Sequence, residues 1–143
     1  MRPLPTLLAL VLAVGPCATP PDAPGRWTGY LFPPFDAIPV ALDVTLTEGG
    51  TLTGTFLAPT VGYPAVPLGD VHLAGDTLVA ALADPLSWVA FEGRLDGDRY
   101  EGEFHEGGGS TPFVLARAGT AAARALDARA AAQRATPPDP PSP

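Results

Sequence analysis

A chain of 143 residues holds one domain of ordinary size, and a hydrophobic content of 46% is enough to give it a core. Fifteen carboxylates face eight basic side chains, all of them Arg, and the net charge of −7 excludes a protein that grips a phosphate backbone, so no nucleic-acid partner is expected. The single cysteine, Cys17, excludes an intrachain disulfide and any multi-cysteine metal site.

Residues 1–17 read as an export signal. Arg2 supplies the positive start and Leu7 to Val14 the apolar run, which is too short to cross a bilayer as a helix. Val14-Gly15-Pro16-Cys17 resembles a bacterial lipobox, with Pro16 where a small residue is usual, and the chain's sole cysteine falls where an anchor would be attached. Cys17 is therefore the expected lipidation site, placing the protein on a membrane of the cell envelope. The alternative is a plain secretory signal and a soluble periplasmic or secreted product. Residues 18–25 follow as an extended tether with little that could pack.

From Arg26 onward the pattern is that of half-buried strands. Arg26 to Phe32 places Trp27, Gly29 and Leu31 on one face, and Pro33-Pro34 ends it. Ile38 to Thr47 alternates most cleanly, with Ile38, Val40, Leu42, Val44 and Leu46 on one side, which favours an antiparallel sheet wet on one face. Glu48-Gly49-Gly50 turns the chain into a strand from Thr51 to Leu57. Ala58 to Pro67 reads as a long irregular loop, followed by strands from Leu68 to Ala74 and from Thr77 to Ala83. Leu86 to Leu95 begins the last three strands, which run to Arg117. The fold expected is all-β: a meander of about eight antiparallel strands over residues 26–117, closing as a small barrel or, alternatively, folding into a β-sandwich.

Four strands share the form apolar, polar, Gly, polar, apolar, centred on Gly29, Gly54, Gly93 and Gly102, and each Gly falls on the inward parity. Either these glycines mark sharp bends or they leave room for a ligand; the inward aromatics Trp27, Phe56, Phe91, Tyr100 and Phe104 favour bends around a mostly filled interior. The hairpin after Leu95 has two registers. A two-residue turn at Asp96-Gly97 pairs Phe91 with Gly102 and Gly93 with Tyr100, and its Asp-Gly turn makes it the preferred one. A four-residue turn pairs Phe91 with Phe104 and Arg94 with Glu101. Residues 118–134 are Ala-rich and suit a short helix, but Leu126 is their one large apolar residue, so the helix is expected to bury little and fray. Residues 135–143 form a Pro-rich disordered tail.

With the strands laid out, Gly25-Arg-Trp27-Thr-Gly29-Tyr-Leu31, Leu52-Thr-Gly54-Thr55, Ala58-Pro59-Thr-Val-Gly62, Val66-Pro67-Leu68, Gly75-Asp-Thr-Leu78 and Gly102-Glu-Phe104-His-Glu-Gly107-Gly108 to Arg117 occur in the order found in one family. They resemble the small all-β domain that precedes the catalytic domain in secreted bacterial α/β-hydrolases, here with Val61 and Glu106 at its two Gln positions and no hydrolase domain following in this sequence. Gly25-Arg-Trp27 with Arg117 is also similar, on fewer residues, to the lipocalin-like (calycin) barrels, which implies that Trp27 and Arg117 form a barrel-closing pair through a cation over the indole.

No catalytic set is evident: there is no G-x-S-x-G elbow, and Glu92, Glu101, Glu103 and Glu106 read, with Arg94 and Arg99, as a charged outer face. His72 and His105 sit on separate strands and read as solvated, so neither a metal nor a cofactor is expected. Phe32, Phe35, Tyr63 and Trp88 are apolar groups where water should be; a bulge or loop folding each inward is the plainer reading, and a binding rim the functional one. The expected function is a non-catalytic, lipid-anchored binding or accessory module of the bacterial envelope, with an unknown envelope protein as partner. The alternative is a lipocalin-like carrier of a small apolar ligand inside the barrel.

Overall fold

The computed structural model describes residues 22–34, 36–83 and 88–135; Cys17, Phe35, Leu86 and residues 136–143 lie outside the described residues. The chain forms a closed barrel of eight antiparallel strands, each hydrogen-bonded to its neighbour in sequence. The strands are β1 (Gly25–Leu31), β2 (Ile38–Leu46), β3 (Leu52–Ala58), β4 (Tyr63–Ala74), β5 (Thr77–Leu82), β6 (Val89–Asp96), β7 (Arg99–Glu106) and β8 (Gly109–Arg117). One helix, α1 (Ala121–Ala135), follows. β1 closes on β8 with Trp27 opposite Arg117, Gly29 opposite Leu115 and Leu31 opposite Phe113. Closure removes both sheet edges, and with them the unpaired backbone that a sandwich would leave at its rims.

Alternation fills the interior. Trp27, Tyr100, Phe56, Phe91, Phe113, Leu42, Leu78 and Leu115 are fully buried there. Eight strands enclose a lumen just wide enough for such side chains to occupy. The barrel has two ends. The lower end carries Gly25, Leu46, Leu52, Ala74, Asp96 and Arg117; the upper end carries Leu31, Ile38, Ala58, Val89, Glu106 and Gly109. Leu46 belongs to the alternating face of β2 yet is 54% exposed, because it overhangs the lower end beyond the interior.

Four sequence expectations need correction. The stretch from Ala58 to Pro67 is not one long loop. A 3₁₀ turn over Pro59–Val61 leads at once into β4, which pairs Tyr63 with Ala58, Val66 with Phe56 and Pro67 with Thr55. Pro64 and Pro67 cannot donate to a ladder; the β3–β4 register is broken between Phe56 and Ala58 and between Leu52 and Thr55, and such bulges let a Pro-bearing strand pair.

The β6–β7 hairpin takes the second register, not the preferred one. Phe91 faces Phe104, Gly93 faces Gly102, Arg94 faces Glu101, and pairing continues to Asp96 opposite Arg99. The turn residues are therefore Gly97 and Asp98, with Gly97 supplying the positive φ of 57°.

The tether is not free of the fold from Asp22 onward. Ala23 is buried, and the Trp27 indole Nε1 donates to its carbonyl at 2.9 Å. The sequence of residues 18–25 offers few apolar side chains to pack, but Ala23 joins the core and the carbonyls of Asp22, Ala23 and Pro24 serve as acceptors.

Helix α1 does dock. Thr120 caps it, its Oγ1 accepting from the Ala123 amide at 3.2 Å. Ala123, Leu126 and Ala130 are buried in a second apolar cluster with Val114 and Ala116 of the outer wall of β8 and with Phe32. Small residues let the helix approach the wall closely, so one Leu is enough. Tyr30 Oη donates to Asp127 at 2.7 Å and Gln133 Nε2 to the Pro33 carbonyl at 3.2 Å, so α1 runs from the lower end to the upper one.

Candidate functional site

The lower end is sealed by Arg117, Trp27 and the entering chain. β8 places Arg117 directly across from Trp27, and its guanidinium carbon lies 4.4 Å from the indole centroid. The same guanidinium donates to the Pro24 carbonyl at 2.8 Å and to the Asp22 carbonyl, while Asp98 Oδ1 stands 3.6 Å from its Nε. A single forked cation thus stacks on the indole, ties residues 22–24 across the barrel end and meets a turn carboxylate, a combination a lysine could not make. Above it, Trp27 meets Tyr100 edge-on at 6.1 Å, and the Tyr100 hydroxyl donates to the Leu78 carbonyl at 2.8 Å. Burial, with the Glu92 charge adding to it, pushes the Tyr100 phenol far above its ordinary pKa, so it stays a neutral donor.

The lumen above this seal is occupied by aromatic rings. Tyr100 meets Phe113 at 4.8 Å, Phe113 meets Phe91 at 5.0 Å, and Phe91 meets Phe104 at 4.8 Å and Phe56 at 5.3 Å. A cleft of about 220 Å³ remains at the upper mouth, between Leu31, Ile38 and Phe104, and the larger ones lie elsewhere. One of about 590 Å³ lies at the lower end between Asp22–Pro24 and Leu46, Leu52 and Val71. Another of about 290 Å³ lies on the outer wall beside α1, between Arg26, Ala41, Leu57 and Asp127.

The upper end gathers Phe32, Tyr63 and Trp88, but in three different environments. Phe32 is buried under α1, with the Arg129 guanidinium 3.9 Å above its ring, and it offers nothing to a partner. Tyr63 is half-buried: its ring rests on Phe56 at 5.3 Å and its hydroxyl donates to Glu106 at 3.2 Å. Trp88 is 62% exposed, immediately before β6, and stacks on His105 at 5.2 Å with 29° between the rings. Folding inward by a bulge or loop, the plainer reading for all three, is thus met in part for Tyr63 and not for Trp88, while Phe32 is buried on the outer wall by α1 instead. Phe35, the fourth member of that set, and Cys17 are outside the described residues.

Around Trp88 the polar groups are Glu106, Ser110 and His105, which line a cleft of about 270 Å³, and His105 Nε2 lies 3.8 Å from a Glu92 oxygen. His72 is on β4, exposed, 3.3 Å from Asp70. Among the described residues no group of three or more His, Cys, Asp and Glu could hold a metal ion, and no charged side chain is buried. The juxtaposition of Glu106 with Tyr63 is not legible in the sequence, and that of Glu92 with Glu103 follows only from the less favoured of the two hairpin registers. The first needs the unexpected upper half of β4, and the second needs the correct β6–β7 register.

Fold and surfaces together define a small, closed, eight-stranded antiparallel barrel with a filled lumen and a helix strapped along one wall. No protein-family model matches the chain, and no curated protein or solved structure matches it; nothing in these comparisons identifies the barrel with the α/β-hydrolase-associated domain or with the calycins.

Proposed function

We propose that this protein is an exported, non-catalytic binding or accessory module of the bacterial envelope, anchored by lipid at Cys17 and offering its upper end to another envelope component. The observation that carries this reading is the polarity of the barrel. Residues 22–24 are bound to Arg117 and Trp27 at the lower end, whereas Tyr63 and Trp88 lie at the upper end. A chain spans at most about 3.6 Å per residue, so an anchor at Cys17 would hold the lower end within roughly 18 Å of the bilayer and leave the upper end facing away. Two or more acyl chains would make such attachment stable.

The aromatic packing of the lumen weighs against the carrier alternative, since a ligand would have to displace buried rings. That no described carboxylate is buried weighs against a general acid or base tuned by burial. Kinship with the β domain of secreted α/β-hydrolases rests on the ordered glycine and aromatic motifs, and a likeness of that kind suggests an accessory role without naming a ligand. Fractionation of cells expressing the full chain and its Cys17→Ser variant tests the anchoring. The wild type should sediment with membranes and the variant should be released; a wild type found in the soluble fraction refutes it.

A further inference from the structure

We propose that the upper outer wall of β6 and β7, with the Trp88 cleft, docks a basic, arginine-bearing segment of a protein partner. This deepens the reading of the upper end as a binding face and rests on it. Trp88 leaves most of its surface in water while its ring is held by the stack on His105, so it is an ordered apolar face rather than a swinging side chain. Rigid, partly exposed indoles are the residues that dominate binding energies when a partner covers them.

The charges around it decide the occupant. In the ladder, Val89 faces Glu106, Ala90 faces His105, and Glu92 faces Glu103, so two exposed carboxylates stand directly opposite each other just below the Trp88 stack. Like charges in that position destabilise a sheet. The next outward rung down shows the ordinary solution: Arg94 faces Glu101, Arg94 pairs with Asp76 at 2.6 Å and Arg99 with Glu101 at 2.9 Å. The lower half of the wall is thus internally neutralised. In the upper half, no Arg among the described residues pairs with Glu92 or Glu103, nor with Glu106, which stands at the rim opposite the buried Val89. An indole face bordered by carboxylates that no Arg neutralises matches a guanidinium, which stacks on aromatic rings and donates two parallel hydrogen bonds to a carboxylate. An ammonium group satisfies only part of this arrangement, and an anionic segment is repelled.

Isothermal titration calorimetry of the detergent-solubilised full chain and its variants with hexa-arginine, hexalysine and hexaglutamate peptides at physiological salt tests the proposal. Trp27 is fully buried, so a change in the wild type's tryptophan fluorescence on binding separately reports Trp88. Hexa-arginine should bind tightest and hexaglutamate not at all. Glu103→Gln should weaken hexa-arginine binding by about threefold or more, Trp88→Ala by about tenfold, and Glu48→Gln, which changes the net charge equally at the lower end, by less than about twofold. Trp88→Phe should recover part of the loss. Glu103→Gln should melt at the same temperature as the wild type or higher, since it relieves the Glu92 repulsion, which separates lost binding from lost folding. Equal weakening by Glu48→Gln and Glu103→Gln, or affinity indifferent to Trp88, overturns the proposal. If an envelope partner co-purifies equally with wild type and with Trp88→Ala, the binding-module reading stands and this docking surface falls.

Discussion

Gly102→Ala is a minimal perturbation with a large expected cost. Gly102 faces Gly93 across the β6–β7 ladder, both on the inward parity. A Cβ on Gly102 would lie 2.1 Å from the Glu92 carbonyl oxygen and 2.5 Å from the Gly93 Cα, whereas real Cβ atoms essentially never come within 3.0 Å of such neighbours. These are backbone atoms of the adjacent strand, so no rotamer change relieves the clash. The strands must part by roughly 1 Å, which stretches the ladder hydrogen bonds flanking that rung beyond useful length. Losing two at about 1 kcal/mol each, with about 1 kcal/mol of residual overpacking, gives about 3 kcal/mol. For a domain of this size that is a fall of roughly 10–15 °C in melting temperature. Urea and thermal unfolding followed by circular dichroism measure it. A loss below ~1 kcal/mol, together with abolished binding of an apolar fluorescent probe, would show slack around this glycine and a ligand space where the lumen is described as filled.

Arg117→Ala should cost about 2 kcal/mol, from the lost indole stack and the carbonyls of Asp22 and Pro24 left without their donor, and limited proteolysis should then cut at residues 22–24; wild-type resistance in the variant would contradict the sealed lower end. Tyr100 and Tyr30 both have raised phenol pKa values, in each case chiefly through burial, with the Asp127 hydrogen bond adding at Tyr30. A raised folded-state pKa gives stability that is complete below the ordinary phenol value of 10.0 and is lost as pH rises beyond it, so the protein should lose stability from about pH 10 upward, and Tyr100→Phe should be less stable at neutral pH but lose less on alkalinisation. Parallel alkaline curves for the two proteins would refute this.

How far the sequence led can be traced in particular residues. The alternation of Ile38 to Leu46 and the turn glycines were enough for an eight-stranded antiparallel meander, because period-two hydrophobicity and positive-φ positions are local signals. The β6–β7 register was not a local matter. Asp96-Gly97 and Gly97-Asp98 are both good turns, and the choice falls to packing inside a closed barrel, where Phe113 lies over Gly93. β4 was half missed because Pro64 and Pro67 speak against a strand unless bulges can be foreseen. The docking of α1 was missed because Ala123 and Ala130 contribute by being small, which a count of large apolar residues does not register. At the candidate site, Trp88 was visible as an apolar residue on the wet parity, but its stack on His105 and the Glu92–Glu103 pairing depend on register alone.

The intact mass and N-terminal residue of the mature protein, purified from the membranes of an expressing bacterium, test the central claim most directly. The account predicts a chain that begins at Cys17 and carries the added mass of its acyl chains. A mature N-terminus beyond Cys17 with no lipid mass would contradict it, detaching the lower end from the membrane and removing the reason for the upper end to face outward.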